Sequence, residues 1–383
     1  MTRDAYVLGR GMIDFGEHFE KSFDDLLEEA YLALLEDADV EPADIDAAWY
    51  GTLDVAQEGM SGAAVAHATG LFEIPITQVV NACATGSDAF RNAVLAVKSG
   101  EADLALVIGA EKMRDTAEGL ISLASQKRVW RGRGVTMPAF FGLRATRHMA
   151  EYGTTQEQIA AVSVKNHENG AKYPHAHYKF ECTVEDVLSS TTISEPLNLY
   201  DCCPVTDGAA AVLVGTEALA RERAPELVRV AGSGLATDSF VRGHDDALTH
   251  FPATRQAARQ AYEASGYGPA DVDVAEVHDC FSITELLTYE DLGFCKVGEG
   301  GQFVEDGHAN LDGDIAVNPS GGLLAKGHPI GATGVAQIAE IYEQLIGAAG
   351  DVQVACDVGL QHNIGIGRNA TGSVSCVNLL ERL

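Results

Sequence analysis

Four short stretches of this chain combine residue types able to do chemistry. The first is Asn81-Ala82-Cys83-Ala84-Thr85-Gly86-Ser87. It follows an apolar run at residues 76–81 that reads as a strand and precedes a helical pattern from Asp88 to Ser99. Cys83 therefore sits where a strand ends and a helix begins. Free N–H groups and partial positive charge at a helix start lower a thiol pKa and favour the nucleophilic thiolate. The competing reading is a buried, inert cysteine. The second stretch, His278-Asp279-Cys280-Phe281, lies just past a strand predicted over Val272–Val277. Ligand sites of parallel α/β sheets form outside such carboxyl ends. A single histidine satisfied by a backbone carbonyl is the alternative. His278 and Cys280 supply only two metal ligands, so no metal centre is expected.

The third stretch joins Asn318-Pro319-Ser320-Gly321-Gly322 to Lys326-Gly327-His328-Pro329-Ile330-Gly331-Ala332-Thr333-Gly334. The glycines permit a tight backbone near a ligand, and His328 is held stiffly between Gly and Pro. A phosphate loop is disfavoured, because Gly-Lys-Ser/Thr is missing and no Gly-x-Gly-x-x-Gly opens a helix. The fourth is Gly359-Leu360-Gln361-His362-Asn363-Ile364-Gly365-Ile366-Gly367. Its glycines suggest exposed N–H groups suited to an oxyanion hole, or else a glycine-rich hairpin.

Positioning these groups requires an ordered series of elements. Leu26, Leu27, Ala30, Leu34 and Leu35 recur at helical spacing in residues 24–38. Strands are expected at Ala47–Leu53, residues 76–81 and Leu104–Gly109, which implies a mostly parallel sheet with helices on its faces. The later part repeats the plan: strand Ile315–Asn318, a glycine-rich turn region, helix Val335–Ile346 and strand Val352–Cys356. Asn81-Ala82-Cys83 and Asn318-Pro319-Ser320 fall at the same point of each half. The expected division is residues 1–225 and 226–383. The first half is interrupted at about 111–200 by an irregularly patterned stretch holding Arg128, Arg131 and Arg133 and the run Tyr173-Pro174-His175-Ala176-His177-Tyr178. An insertion of that length usually serves as a lid or substrate platform.

Composition narrows the function class. The chain has 56 acidic and 26 basic residues, a net charge of −30. Such a surface repels nucleic acid and anionic membranes. The acids are spread along the chain, which points to a salt-rich cytoplasm that screens their self-repulsion; an acidic mesophilic enzyme is the alternative. Eight scattered cysteines show neither zinc-finger nor secreted-framework spacing. No apolar run reaches the length of a membrane span.

Taken together, the motifs resemble the thiolase superfamily, and more closely its sterol-carrier-protein-2-like and archaeal acetyl-CoA acetyltransferase branch. Carrying the resemblance are Asn-Ala-Cys83-Ala-Thr-Gly-Ser, Lys165-Asn-His-Glu-Asn, Asp201-Cys-Cys-Pro-Val-Thr-Asp-Gly-Ala-Ala-Ala, His278-Asp-Cys-Phe, Asn318-Pro-Ser-Gly-Gly and Lys326-Gly-His-Pro-Ile-Gly-Ala-Thr-Gly. They cover almost the whole chain in order. The resemblance implies two βαβαβαββ halves in a five-layer αβαβα arrangement, with an inserted loop domain. It implies Claisen condensation of acyl-CoAs to a 3-oxoacyl-CoA, and the reverse thiolysis, through an acyl group on Cys83. His328 would accept the thiol proton. His278 and His328 would hold the enolate oxygen, and the backbone N–H groups of Cys83 and Gly365 would form a second oxyanion hole. Asn363-Ile364-Gly365 stands where many relatives carry a Cys-x-Gly motif, so Cys280 is expected to supply the missing acid/base. The implied partners are acetyl-CoA or another acyl-CoA, CoA, a second copy of the chain and a small OB-fold subunit, sometimes with a zinc ribbon. No cofactor beyond the CoA thioester is implied. Residues binding the CoA moiety are not identified. Two rivals stand beside this reading: another acyl-CoA condensing synthase of the 3-hydroxy-3-methylglutaryl-CoA type, and a non-catalytic acyl-CoA or lipid carrier.

Overall fold

The structure is a computed structural model that describes residues 3–53, 59, 61–116, 136–239, 248–366 and 372–383. Its first half runs β1 (Ala5–Met12), α1 (Phe23–Asp37), β2 (Ala47–Gly51), α2 (Gly62–Thr69), β3 (Ile76–Val79), α3 (Thr85–Ser99) and β4 (Leu104–Glu111). An insertion follows: α4 (Met137–Tyr152), α5 (Gln156–Lys172), α6 (Val184–Ser189) and a hairpin of β5 (Thr192–Ser194) and β6 (Leu197–Asn198). β7 (Gly208–Thr216) and α7 (Glu217–Arg223) close the half. The second half holds β8 (Val228–Ser239), α8 (Pro252–Ser265), β9 (Val274–Glu276), α9 (Ser282–Leu292), α10 (Gly300–Glu305), β10 (Ala316–Val317), α11 (Gly322–Ala325), α12 (Ile330–Ile346), β11 (Val358–Ile366) and β12 (Gly372–Arg382).

Strand pairing proves the internal repeat. The first half is ordered β3-β2-β4-β7-β1 and the second β10-β9-β11-β12-β8. In each, the two pairings around the second strand are parallel and the next two antiparallel. Position by position the two orders are the same. The half-sheets join where Tyr6 and Val7 of β1 pair with Arg229 and Val228 of β8.

Alternation along the strands sorts the core into layers. Leu104, Leu106 and Ile108 of β4 pack with Leu26, Leu27 and Leu34 of α1 on the outer face. Ala105 and Val107 turn inward to Phe90 and Val94 of α3 and to Val335 and Ile338 of α12. On the far side Ala275, Leu360 and Leu379 pack with Ala257 of α8 and Leu286 of α9. The order is helices, sheet, the α3/α12 pair, sheet, helices. Local signals agree with the elements. Ser22 and Asp25 form a capping box at the start of α1, and α12, apolar around most of its circumference, is buried all round.

Four expectations need correction. The sheet is not mostly parallel: among the described strands four of its pairings are parallel and five antiparallel. Residues 353–356 are not strand, because a short turn of helix at Gly350–Val352 ends there and Gln353 ties back to Gln344. The strand is β11, six residues later, and it contains residues 359–366 of the stretch read as exposed N–H groups or a glycine-rich hairpin. The insertion is largely helical among its described residues. Arg128, Arg131 and Arg133 lie outside the described residues.

Equivalent helices of the two halves, α3 and α12, touch backbone to backbone at their first turns. A side-chain carbon on Gly334 would lie 2.3 Å from the Ser87 nitrogen, and one on Gly86 2.8 Å from the Val335 nitrogen. Gly334→Ala should therefore cost about 1–3 kcal/mol of stability, as overpacking does. Urea unfolding in concentrated KCl should show a lower midpoint and an unchanged slope. An unchanged midpoint would contradict this packing.

Candidate active site

Cys83 precedes α3 and His328 precedes α12, so the contact between the two helix starts sets these residues side by side. Ala82 and Asn318, which open the matching turns of the two halves, both have positive φ, 51° and 53°. The turn before α3 swings Cys83 toward the second half. His278 arrives from the end of β9. A sulfur of Cys83 and one ring nitrogen each of His278 and His328 lie within 4.8 Å of one another. The two rings stand edge to face, with centroids 5.1 Å apart. Both histidines are buried, and Cys83 is partly exposed.

The tautomer of His328 follows from its neighbours. The Thr333 hydroxyl donates to the Pro329 carbonyl at 2.9 Å and lies 2.8 Å from His328 Nδ1. With its proton so used, Thr333 accepts from Nδ1–H. Nε2 then carries a lone pair, and it is buried without a partner. This is the arrangement of a base waiting for a proton. Burial, and next the Lys326 charge, push the His328 pKa down to about 3. Burial pushes Cys83 up to about 12, against a smaller lowering by the Ile366 N–H that the sulfur accepts. The direction is opposite to the lowering expected from the helix start, with loss of solvent around the sulfur as its largest cause. The resting pair is a neutral thiol beside a neutral imidazole.

Gly365 lies against the Cys83 turn. A side-chain carbon there would fall 2.6 Å from the Asn81 carbonyl oxygen and 3.0 Å from the Cys83 nitrogen. Only glycine allows β11 to bring its backbone this close to the Cys83 turn. Cys280 is buried and is not one of the three converging groups. Its sulfur lies 3.8 Å from Thr284 Oγ1, and its carbonyl accepts from the Cys203 N–H at 3.1 Å. Burial, then the neighbouring Cys203 and Cys83, push its pKa well up. Cys203 was not singled out by the sequence. Its place opposite Cys280 follows from the bridge between Cys202 and Phe281.

A buried polar web ties the His278 and His328 turns together. Asn166 of α5 donates to Asp279 and to Glu285, both at 2.7 Å. Asp279 also accepts from the Leu323 and Leu324 N–H groups at the start of α11. Lys165 reaches the Val317 carbonyl at 2.7 Å and Glu285 at 2.9 Å. Asn318 donates to Glu285 and accepts from the Val277 N–H. Lys326 is paired with Glu340 inside the middle layer. Glu111 at the end of β4 accepts from the Leu53 and Gly331 N–H groups, which links the first half to the turn after His328. The insertion contributes directly, because His177 and Tyr178 N–H groups bind the Lys326 and Ala325 carbonyls. The Lys165-Asn166 motif was visible in the sequence, but its role in joining the His278 and His328 turns was not.

Comparisons with known proteins follow the same outline. The thiolase N-terminal domain family matches residues 5–218, and the thiolase C-terminal domain-like family matches residues 234–378. An acetyl-CoA acetyltransferase of Methanothermobacter thermautotrophicus is 45% identical, over 99% of this chain and 100% of its own length. Human sterol carrier protein 2 is 37% identical over 95% of this chain, which spans 70% of that protein. Among solved structures, the Ltp2-ChsH2(DUF35) aldolase superposes with a TM-score of 0.85 at 27% identity, covering 99% of this chain and 98% of its own.

The protonation states give a direct test. Thiol ionisation begins only as pH climbs toward about 12, and imidazole protonation only as pH falls toward about 3. The thiolate ultraviolet absorbance of the protein minus that of Cys83→Ser should stay flat between about pH 5 and about pH 9. A step near neutrality would show a thiolate–imidazolium pair instead.

Proposed function

The chain belongs to the thiolase family, and from that premise we propose how it works as an acetyl-CoA C-acyltransferase, with Cys83, His278, His328 and Cys280 as its catalytic residues. Relatives at this similarity support a thiolase rather than another condensing synthase or a carrier. The observations that carry the assignment of roles are the convergence of the Cys83 sulfur with one ring nitrogen of each histidine and the unpartnered Nε2 of His328.

In thiolysis, His328 Nε2 takes the Cys83 proton as the sulfur attacks the 3-oxo carbon. The carbon–carbon bond then breaks, leaving an acyl group on Cys83 and the enolate of acetyl-CoA. Cys280, kept as a thiol by burial, gives its proton to the enolate carbon. The proton held by His328 restores Cys280. CoA then attacks the acyl-cysteine, passing its own proton through His328 to the departing Cys83 sulfur. Condensation is the same path reversed. N–H donors stabilise the two oxyanions: the Cys83 and Gly365 backbone at the acyl carbon, His278 and the imidazolium of His328 at the enolate. This chemistry calls for no cofactor beyond the thioester.

We further propose a homodimer formed through β3. It is the outermost strand of its sheet among the described residues, and Phe72 and Val80, 66% and 60% exposed, flank it. Pairing two such edges antiparallel would cover both. A small partner subunit is supported by the aldolase complex named above. No described helix is long and apolar enough to cross a membrane. Eight free cysteines support a reducing cytoplasm. The net charge of −30 supports a halophilic setting, and the relatives from Methanothermobacter thermautotrophicus and Methanocaldococcus jannaschii an archaeal one.

The test is thiolysis of 3-oxoacyl-CoAs of increasing length in concentrated KCl. CoA-dependent cleavage is expected, with Cys83→Ser slower by at least about a thousandfold. Cleavage that survives in Cys83→Ser would overturn the mechanism.

A further inference from the structure

We propose that Asn363 is a positioning residue that fixes the tautomer of His278, so that His278 presents a proton, not a lone pair, to the reacting oxygen. The inference rests on the thiolase reading for the reaction it serves. Its structural content stands apart from that reading.

The argument begins at a group whose role is not adjustable, the carbonyl of Val277. Gln337 Nε2 donates to it at 3.1 Å. Gln337 Oε1 must then face the other way, where it accepts from Gln361 Nε2 at 2.9 Å and from Asn363 Nδ2 at 2.5 Å. Asn363 Nδ2 also donates to the His362 carbonyl at 3.0 Å, a second fixed acceptor. Turning the Asn363 amide over would set its oxygen against both of these acceptors. Its orientation is therefore determined. The same NH2 group lies 3.5 Å from His278 Nδ1, and it is the one hydrogen-bond partner of that ring among the described residues. Both N–H bonds of that group already serve Gln337 Oε1 and the His362 carbonyl, so this long contact gives Nδ1 no proton of its own; it sets an electropositive NH2 group, and no acceptor, against that nitrogen. A proton on Nδ1 would point at a donor and find no acceptor. Nδ1 therefore carries the lone pair and Nε2 the proton. With Nδ1 turned to Asn363, Nε2 is the nitrogen left for the pocket shared with Cys83 and His328.

A second chain holds the same two residues together from behind. The His278 backbone N–H approaches His362 Nδ1 at 3.5 Å. His362 Nε2 lies 3.1 Å from Thr254 Oγ1, which lies 3.1 Å from Ser375 Oγ. Ser375 in turn donates to the Asn363 carbonyl at 3.2 Å. The directions run one way: each group donates to the next, from the main chain of His278 to the main chain of Asn363. His362 must be neutral for this, and burial pushes its pKa down to about 3. The side chains of His278 and Asn363 are thus held face to face by a relay whose ends are their own backbones.

The chemical consequence is a division of labour between the two imidazoles. His328 offers a lone pair and removes the thiol proton. His278 offers an N–H and holds the enolate oxygen. A metal ion at this trio would need lone pairs from both rings, so Asn363 also disfavours metal capture.

The test uses the whole protein. In 15N-histidine-labelled wild type, the His278 signal should report a protonated Nε2 and a bare Nδ1. The opposite tautomer would overturn the proposal outright, whatever any variant does. In Asn363→Ala, carbon–carbon cleavage of a 3-oxoacyl-CoA should fall about a hundredfold, as when one oxyanion donor is lost. Acetyl exchange between acetyl-CoA and labelled CoA, which passes only through acyl-Cys83, should change by no more than a few-fold. An equal fall in both half-reactions would mean a merely structural role. Asn363→Asp offers Nδ1 an acceptor and should let Nε2 act as a ligand, as carboxylates do behind metal-bound histidines. Added zinc ion alone should then bind to the variant and not to the wild type. Zinc bound equally by the wild type would contradict the proposal. Absence of all thiolysis in the wild type would sink the functional reading while leaving the tautomer result intact.

Discussion

Everything in this molecule depends on the place where the first turns of α3 and α12 meet with no side chain between them. Gly86, Ser87 and Gly334 let backbone touch backbone there. α3 and α12 are the same helix of two repeated halves, but the chain reaches α3 by a single turn and α12 only after α11. Cys83 stands before one helix start, and His328, the proposed acceptor of its proton, stands before the other. A duplicated fold thus yields an unsymmetrical site from symmetrical scaffolding. The alternation in β4, the small residues of the middle layer and the all-round burial of α12 are what permit that close approach.

Electrostatics inside and outside the protein follow opposite rules. The surface carries the large negative excess, spread and exposed to solvent. In the interior the buried lysines sit against carboxylates: Lys326 against Glu340 and Lys165 against Glu285. Burial keeps Cys83, Cys280, His278 and His328 uncharged at rest. Charge therefore appears in the pocket only as the reaction proceeds, where fixed N–H donors already point. Buried charges that are paired rigidly also hold the turns in register, which loose surface pairs could not do.

The sequence made the repeat legible through the order of its elements, and the site through Cys83, His278 and His328, which indeed converge. Spacing of apolar residues suffices for α1 and for the β3–α3–β4 unit, since each buries one clear face. It failed at residues 350–367. There glycines mark close approach of a buried strand to the Cys83 turn, and a glycine-rich segment reads equally as a loop. It failed again for the thiol pKa, because depth of burial is a property of the whole assembly. Thr333 was in plain view five residues after His328, but the direction of its hydrogen bond depends on the Pro329 carbonyl. Asn363 was read as the occupant of a missing cysteine's place. Its donor role emerges only from Gln337, a residue of the middle helix that no local pattern singles out.

The central claim is that acyl groups pass through the Cys83 sulfur and no other nucleophile. Rapid acid quench of the protein during turnover of acetyl-CoA, followed by peptide mass spectrometry, tests it directly. The account predicts one acetyl group per chain, on the peptide that contains Cys83. Acetyl found on Cys203 or Cys280, or turnover with no covalent acetyl at all, would contradict it.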